Sequence, residues 1–198
     1  SDLSKGAPVA ANMAGGTHHA FKDRGSGFCI FNDLAICAIK AIEDYKHNRV
    51  LIIDLDVHQG DGTASILKDN NKANTFSVHC KQNFPFKKEA SNTDIEIENG
   101  ADDNTYLSIL RNGLTKLESV ESDIIFFQAG VDTLASDRYG KLLLTAEGLN
   151  ARNEMVFDFA RKRKNPLLIL MGGGYSEPID NTVAAFQDLF IAAAKYSF

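Results

Sequence analysis

In the segment "DLDVHQGDG", Asp54, Asp56 and His58 fall two residues apart. In an extended chain that spacing puts the three side chains on one face, with Leu55 and Val57 on the other, so Asp56 and His58 can grip one metal ion together. Asp132, in "QAGVD", is the obvious third ligand. Two carboxylates and one imidazole leave a coordination position open, the arrangement of a catalytic zinc site rather than a closed structural one. The set is hard enough to accept Fe(II), Mn(II) or Co(II) as well. A metal that activates water needs a base to take the proton and an acid to protonate the leaving group. The adjacent imidazoles of His18 and His19 in "GGTHHA" suit those tasks, and Asp54 and Asp61 are spare acids that can back them as two His–Asp pairs. If both rings cannot be protonated together, one stays neutral and serves as base.

These residues must be delivered by a scaffold, and the chain supplies a regular one. "VLIIDLDV" (50–57), "TFSVH" (75–79), "DIIFFQ" (123–128) and "PLLILM" (166–171) are short, nearly continuous apolar runs, as expected of strands buried on both faces. Helical patterns separate them. "NDLAICAIKAIEDY" opens with Asn32 and Asp33 as cap candidates, "DDNTYLSILRNGLTKLESV" repeats apolar residues at 106, 109, 110, 114 and 117, and "TAEGLNARNEMVFDFARKRK" begins at a Thr cap. A last helix is expected after Pro178, with Val183, Phe186, Leu189 and Phe190 facing inward. The alternation predicts an α/β domain, 1–198, with a mainly parallel sheet flanked by helices on both faces. Residues 80–100 read as a long loop ending in a short strand, "DIEIE". In such a sheet, ligands bind beyond the carboxyl ends of the strands. Each run exits into chemically able residues: Asp54 to Asp61, then Ser77 and His79, then Gln128 and Asp132, then Gly172, Gly173, Gly174 and Tyr175. An unseen strand near Ala10–Ala14 would lead into the paired histidines.

Composition narrows the function classes. The chain has 198 residues, 44% of them hydrophobic, and lacks an apolar run approaching the ~20 residues of a membrane-spanning helix. A net charge of −5 argues against general affinity for nucleic acid. The one basic run, "RKRK" at 161–164, closes a helical pattern, where cations favour the helix dipole. Three cysteines with no C-x-x-C pair indicate reduced thiols, hence a cytoplasmic protein, or a nuclear one in a cell with a nucleus.

The ordered set "GGTHHA", "GFCIFND", "DLDVHQGDGT", "SVH", "AGVDTLASD" and "GGGY" resembles the zinc-dependent histone deacetylase family of the arginase-deacetylase fold. The segment "NFPFKKEASNTDIEIENGADDNTYL" further resembles its class IV branch and bacterial relatives. The resemblance implies Zn2+ on Asp56, His58 and Asp132, His18 paired with Asp54, and His19 paired with Asp61. It gives His19 the part of general base and then acid, and His18 that of electrostatic partner. Tyr175 would donate its hydroxyl to the carbonyl oxygen and stabilise the oxyanion. Gly27 and Phe28 match the wall of an acyl-lysine tunnel, Phe84 or Phe86 the facing aromatic, and Gly173 belongs to glycines that let backbone approach the substrate. A K+ site would use Asp54, the carbonyls of Asp56 and His58, Ser77 and Val78. Family catalytic domains carry a longer segment before "GGTHHA", with early strands and a tunnel-rimming loop, so this chain is expected to be an N-terminally truncated catalytic domain. Met171 stands where many members have glycine.

The implied reaction is hydrolysis of an acyl-lysine amide on a protein or peptide. The alternatives are hydrolysis of a small acylated amine such as an acetylpolyamine, or non-catalytic recognition of acyl groups. Cys29 beside two histidines does not read as a nucleophile, since nothing recognisable lowers its pKa. His79 reads as a structural strand-end residue, His47 as a solvated helix end, and Asp137 with Arg138 as a surface pair.

Overall fold

A computed structural model describes residues 6–196. Six strands, β1 (Val9–Asn12), β2 (Val50–Asp54), β3 (Ala73–Cys80), β4 (Thr93–Ile97), β5 (Ile124–Gln128) and β6 (Leu167–Leu170), form one sheet in the order β1-β6-β5-β2-β3-β4. Every neighbouring pair is parallel, so all six carboxyl ends lie along one edge. The apolar runs are strands for the reason their composition gives: β2 and β5 are buried along their whole length. Their alternate residues feed two cores. Leu51, Ile53, Ile125 and Phe127 pack with α3 (Asp103–Lys116), α4 (Ala146–Arg163) and α5 (Asp180–Ala194). Val50, Ile52, Ile124 and Phe126 pack with α1 (Asp33–Glu43) and the end of α2 (Asp61–Leu67) on the other face.

The caps expected at Asn32 and at Thr145 are in place, and Asp102 adds a third. Asn32 Oδ1 accepts from Ala35 N at 2.9 Å, Asp102 Oδ1 from Thr105 N at 2.9 Å and Thr145 Oγ1 from Gly148 N at 3.0 Å, each satisfying an orphan donor of the first turn. "RKRK" lies on the last turn and cap of α4. There the Arg163 guanidinium donates to the carbonyls of Leu117, Glu118 and Val120, and Arg161 pairs with Asp158.

The last helix follows Pro178 as expected, and one expectation about its inward face is corrected. Val183 is 59% exposed; the inward stripe is Thr182, Ala185, Phe186, Leu189 and Ala193, because the helix starts at Asp180 and Pro178 lies before its first turn. Among the described residues no helix is long and apolar enough to cross a membrane.

Candidate functional site

β2 is followed outward by β3 and β4 on one side and flanked by β5 and β6 on the other. The sheet therefore opens a crevice beyond the ends of β2 and β5. The extended chain stops at Asp54, earlier than the apolar run suggests. Asp54 Oδ1 accepts from Asp56 N at 3.2 Å and Asp56 Oδ1 from His58 N at 3.0 Å, side-chain-to-backbone bonds that bend the chain into a turn. That turn, rather than strand alternation, brings Asp56 and His58 together. Asp132, beyond β5, closes the group: its Oδ1 accepts from Val57 N at 2.9 Å and its Oδ2 lies 3.1 Å from His58 Nδ1, which is also 3.1 Å from Asp56 Oδ1.

The three residues present one ligand atom each within 4.8 Å of one another. The donor set fits a divalent cation. Asp56 and Asp132 are fully buried carboxylates with a single imidazole between them. Burial lowers the pKa of His58, but hydrogen bonds and charge from Asp132 and Asp56 raise the imidazole to about 10. Burial and the charge of Asp56 push Asp132 up to about 7. Gly173 closes the cradle. Its N–H donates to Asp56 Oδ2 at 2.8 Å, and a Cβ there would stand 2.2 Å from Asp132 Oδ2.

The paired histidines meet different acids. His18 Nδ1 lies 2.7 Å from Asp54 Oδ2, and His19 Nδ1 lies 2.6 Å from Asp61 Oδ1, with the ring centroids 4.2 Å apart. Their protonation separates. His18 is buried, which lowers its pKa, but the charges of Asp54 and Asp56 raise it to about 9. His19 falls to about 4, through burial and then the neighbouring His18 charge. The two pKa values lie on opposite sides of neutrality. The turn is pinned by α1: Asn32 Nδ2 donates to the carbonyls of His18 and Ala20, both at 3.0 Å, and Asp33 accepts from Gly16 N and Thr17 N.

These groups line a cavity of about 460 Å³ shared with Gly27, Phe28, Phe84, Tyr139 and Tyr175. Gly27 has φ +51°, and a Cβ there would meet His19 Cδ2 at 2.4 Å, so only glycine lets this segment lie on the imidazole. Phe28 is left-handed too, at φ +65°, a conformation that costs a non-glycine residue about 1–2 kcal/mol. It holds the ring 88% exposed at the cavity mouth, 6.4 Å from the Tyr175 ring. Phe84 stacks edge-on against His19 at 4.9 Å. Phe86 is 90% exposed and outside the cavity, which removes it as the facing aromatic; the chain turns between the two phenylalanines, and only Phe84 points inward. Burial and the charges of Asp56 and Asp132 raise the Tyr175 phenol, so it keeps its proton.

Asp54 and Ser77 are register partners across β2 and β3, with Val78 buried beside them and the Ser77 hydroxyl 2.9 Å from His79 Nδ1. His47 is half-buried, 3.7 Å from Asp123. Cys29 Sγ donates to Gly27 O at 3.3 Å, and burial pushes its thiol up. Asp137 is not a surface pair with Arg138: it is buried and bonds to backbone, while Arg138 reaches Glu177. Sequence reasoning missed Asn83, whose amide lies 3.3 Å from His58 Nε2, and Tyr139, whose carbonyl that amide also reaches. It also missed Arg152 on α4, fully buried, donating to the carbonyls of Leu55 at 3.1 Å and Gly130 at 2.7 Å. That guanidinium ties the two segments carrying Asp56 and Asp132. Helical spacing gave no signal for it.

A family model described as the histone deacetylase domain matches residues 3–190. An uncharacterised protein of Picosynechococcus sp. is 47% identical over 186 residues, 93% of this chain and 62% of the relative. Histone deacetylase 2 of Arabidopsis thaliana is 34% identical over 179 residues, 88% of this chain and 46% of the relative. The chain thus spans about half the length of these curated relatives. Among solved structures, acetylpolyamine aminohydrolase from Burkholderia pseudomallei superposes with a TM-score of 0.83 at 22% identity, over 98% of this chain and 59% of that one. At that identity the likeness is one of fold.

Proposed function

The chain belongs to the histone deacetylase family, and from that premise we propose that it hydrolyses the amide of an acylated lysine side chain on a protein or peptide. Water is consumed, the C–N bond breaks, and a carboxylate and a free amine leave. The observation that carries this reading is the placing of two His–Asp pairs, His18 with Asp54 and His19 with Asp61, beside the Asp-His-Asp group, with both imidazoles lining the same cavity as that group. A divalent ion on Asp56, His58 and Asp132, zinc or alternatively Fe(II), supplies Lewis acidity toward the amide carbonyl and toward water.

His19 is the general base. Asp61 accepts its Nδ1 proton at 2.6 Å, leaving Nε2 free to take a proton from water and then hand it to the departing nitrogen. His18, held by Asp54, brings positive charge to the side where negative charge develops. The Tyr175 hydroxyl donates to the carbonyl oxygen as it becomes an oxyanion, a contact whose loss typically costs about 3–4 kcal/mol. Gly27, Phe28 and Phe84 form the wall for the methylene stem, and Gly173 presents backbone to the acyl end. A K+ ion at Asp54, Ser77 and Val78 belongs to the same reading and would add positive charge near His18. Three free thiols support a reducing compartment, the cytoplasm.

The test is turnover of fluorogenic acyl-lysine peptides by the metal-loaded protein, with acetylpolyamines in parallel. Asp132→Ala and His58→Ala are expected to abolish it, and turnover retained in either removes the metal assignment. Preference for acetylpolyamines overturns the substrate class. Calorimetric binding of peptide without turnover overturns catalysis.

A further inference from the structure

The loop that carries Asp132 continues into a carboxylate that this hydrolytic scheme leaves without a task. Asp137 is 9% exposed, and its sequence neighbour Arg138 turns away to Glu177, Nε to Oε2 3.6 Å. A buried carboxylate is expensive unless its oxygens are saturated with donors. Here three backbone N–H groups saturate it. Oδ1 accepts from Tyr139 N and Gly140 N, both at 2.8 Å, and Oδ2 accepts from Tyr175 N at 2.6 Å.

One carboxylate thereby joins two loops, the one after β5 and the one after β6. Further bonds run alongside it: Arg138 N donates to Tyr175 O at 3.2 Å, Glu177 N to Ser136 O at 2.9 Å, and Ser136 Oγ to Ser176 Oγ at 3.0 Å. Of these contacts, only those of Asp137 reach the backbone of both cavity tyrosines. Tyr175 stands 5.2 Å from Tyr139 and 6.4 Å from Phe28, ring to ring, and is 41% exposed, so packing alone confines it weakly.

We propose that Asp137 is a positioning residue for the Tyr175 hydroxyl, fixing the backbone from which Tyr175 and its neighbour Tyr139 project into the cavity. The inference rests on the reading of Tyr175 as the oxyanion donor. Asp137→Asn tests it with little change of shape: an amide offers one carbonyl oxygen, so its NH2 must face N–H donors on one of the two loops. In the metal-loaded protein, Asp137→Asn is expected to lower kcat about 10- to 100-fold, as a displaced catalytic group does. KM is expected to stay within about threefold, since the wall of the cavity is retained.

The decisive measurement is a double-mutant cycle with Tyr175→Phe. If Asp137 acts through that hydroxyl, Asp137→Asn costs little further in the Tyr175→Phe background. An equal fold-loss in both backgrounds, or an unchanged kcat in the single variant, overturns the inference while leaving the Tyr175 role intact. A Tyr175→Phe enzyme as fast as the parent removes that role first. Asp137→Glu keeps the charge and both acceptors and is expected to turn over faster than Asp137→Asn. Failure to do so counts against the proposal, and the Glu variant carries the cycle alone if the Asn variant does not fold.

Discussion

Gly27→Ala adds a single carbon where it would stand 2.4 Å from His19 Cδ2 and 2.6 Å from Cγ. Carbon atoms rest at about 3.5–4.0 Å, so the imidazole must retreat by about 1 Å. Asp61 holds its Nδ1 at 2.6 Å and the Phe84 ring lies at 4.9 Å, so the retreat breaks one contact or the other. Lengthening the Asp61 bond by that amount leaves about 3.6 Å, no longer a hydrogen bond. A misplacement of this size costs about 100-fold in rate. Separately, φ +51° imposes about 1–2 kcal/mol on an alanine, which lowers the melting temperature by about 2–8 °C in a chain of this length. Metal content should not change, because the added carbon meets His19 rather than Asp56, His58 or Asp132. The assay is steady-state hydrolysis of an acyl-lysine peptide, with metal analysis and thermal melting on the same samples. Gly27→Asn separates the two effects: asparagine tolerates left-handed backbone but carries the same Cβ. It is expected to be as slow as the alanine variant and less destabilised. A kcat within about threefold of the parent for Gly27→Ala, or recovery of rate in Gly27→Asn, would refute the argument that contact with His19 is what demands glycine.

Metal binding should depend on pH. Asp132 and Asp56 raise the His58 pKa to about 10, and a metal must displace the proton bound there, so affinity in a chelator competition should rise about tenfold per pH unit from pH 7 to 9. A flat profile contradicts it. Without metal, His18 near 9 and His58 near 10 hold protons that the unfolded chain releases near 6.5. That stability is full below pH 6.5 and is lost as pH rises through 9 to 10, so chelated protein should melt lower at pH 9.5 than at pH 6. Phe84→Ala should reduce kcat/KM while Phe86→Ala leaves it unchanged, read from the same peptide assay. Arg152→Met should destabilise the metal-free protein by about 3 kcal/mol or more in urea unfolding, because buried carbonyls of Leu55 and Gly130 lose their donor; a change below about 1 kcal/mol denies it a structural role.

The sheet was legible because strands covered on both faces carry no polar alternation, and "VLIID" and "IIFFQ" announce that in composition alone. What followed them was less so. The apolar run does not show where β2 ends, since Asp54 and Asp56 bend the chain with their own side chains. The seven residues of α2 are too few for helical periodicity to register. Asp61 opens that helix, so spacing alone could not say which histidine it meets. That Asp56, His58 and Asp132 would gather at one place was readable from residue type plus strand exit. Arg152 and Asp137 were not, because a lone arginine in a helix and an Asp-Arg pair in a loop look solvent-facing until the fold buries them.

The ladder between β1 and β6 joins Val9 to Leu167, residues far apart in the sequence. Contacts so remote in sequence close late, after the entropy of the intervening loop has been lost. Among the described residues β1 pairs with β6 alone, and Gly172 N, just beyond β6, donates to Gly15 O in the turn that leads to the paired histidines. A fragment ending before β6 therefore carries Asp56, His58, Asp132 and the side chains that hold the histidine turn, Asn32, Asp33, Asp54 and Asp61, but not the contact from Gly172 that ties this turn to the far edge of the sheet.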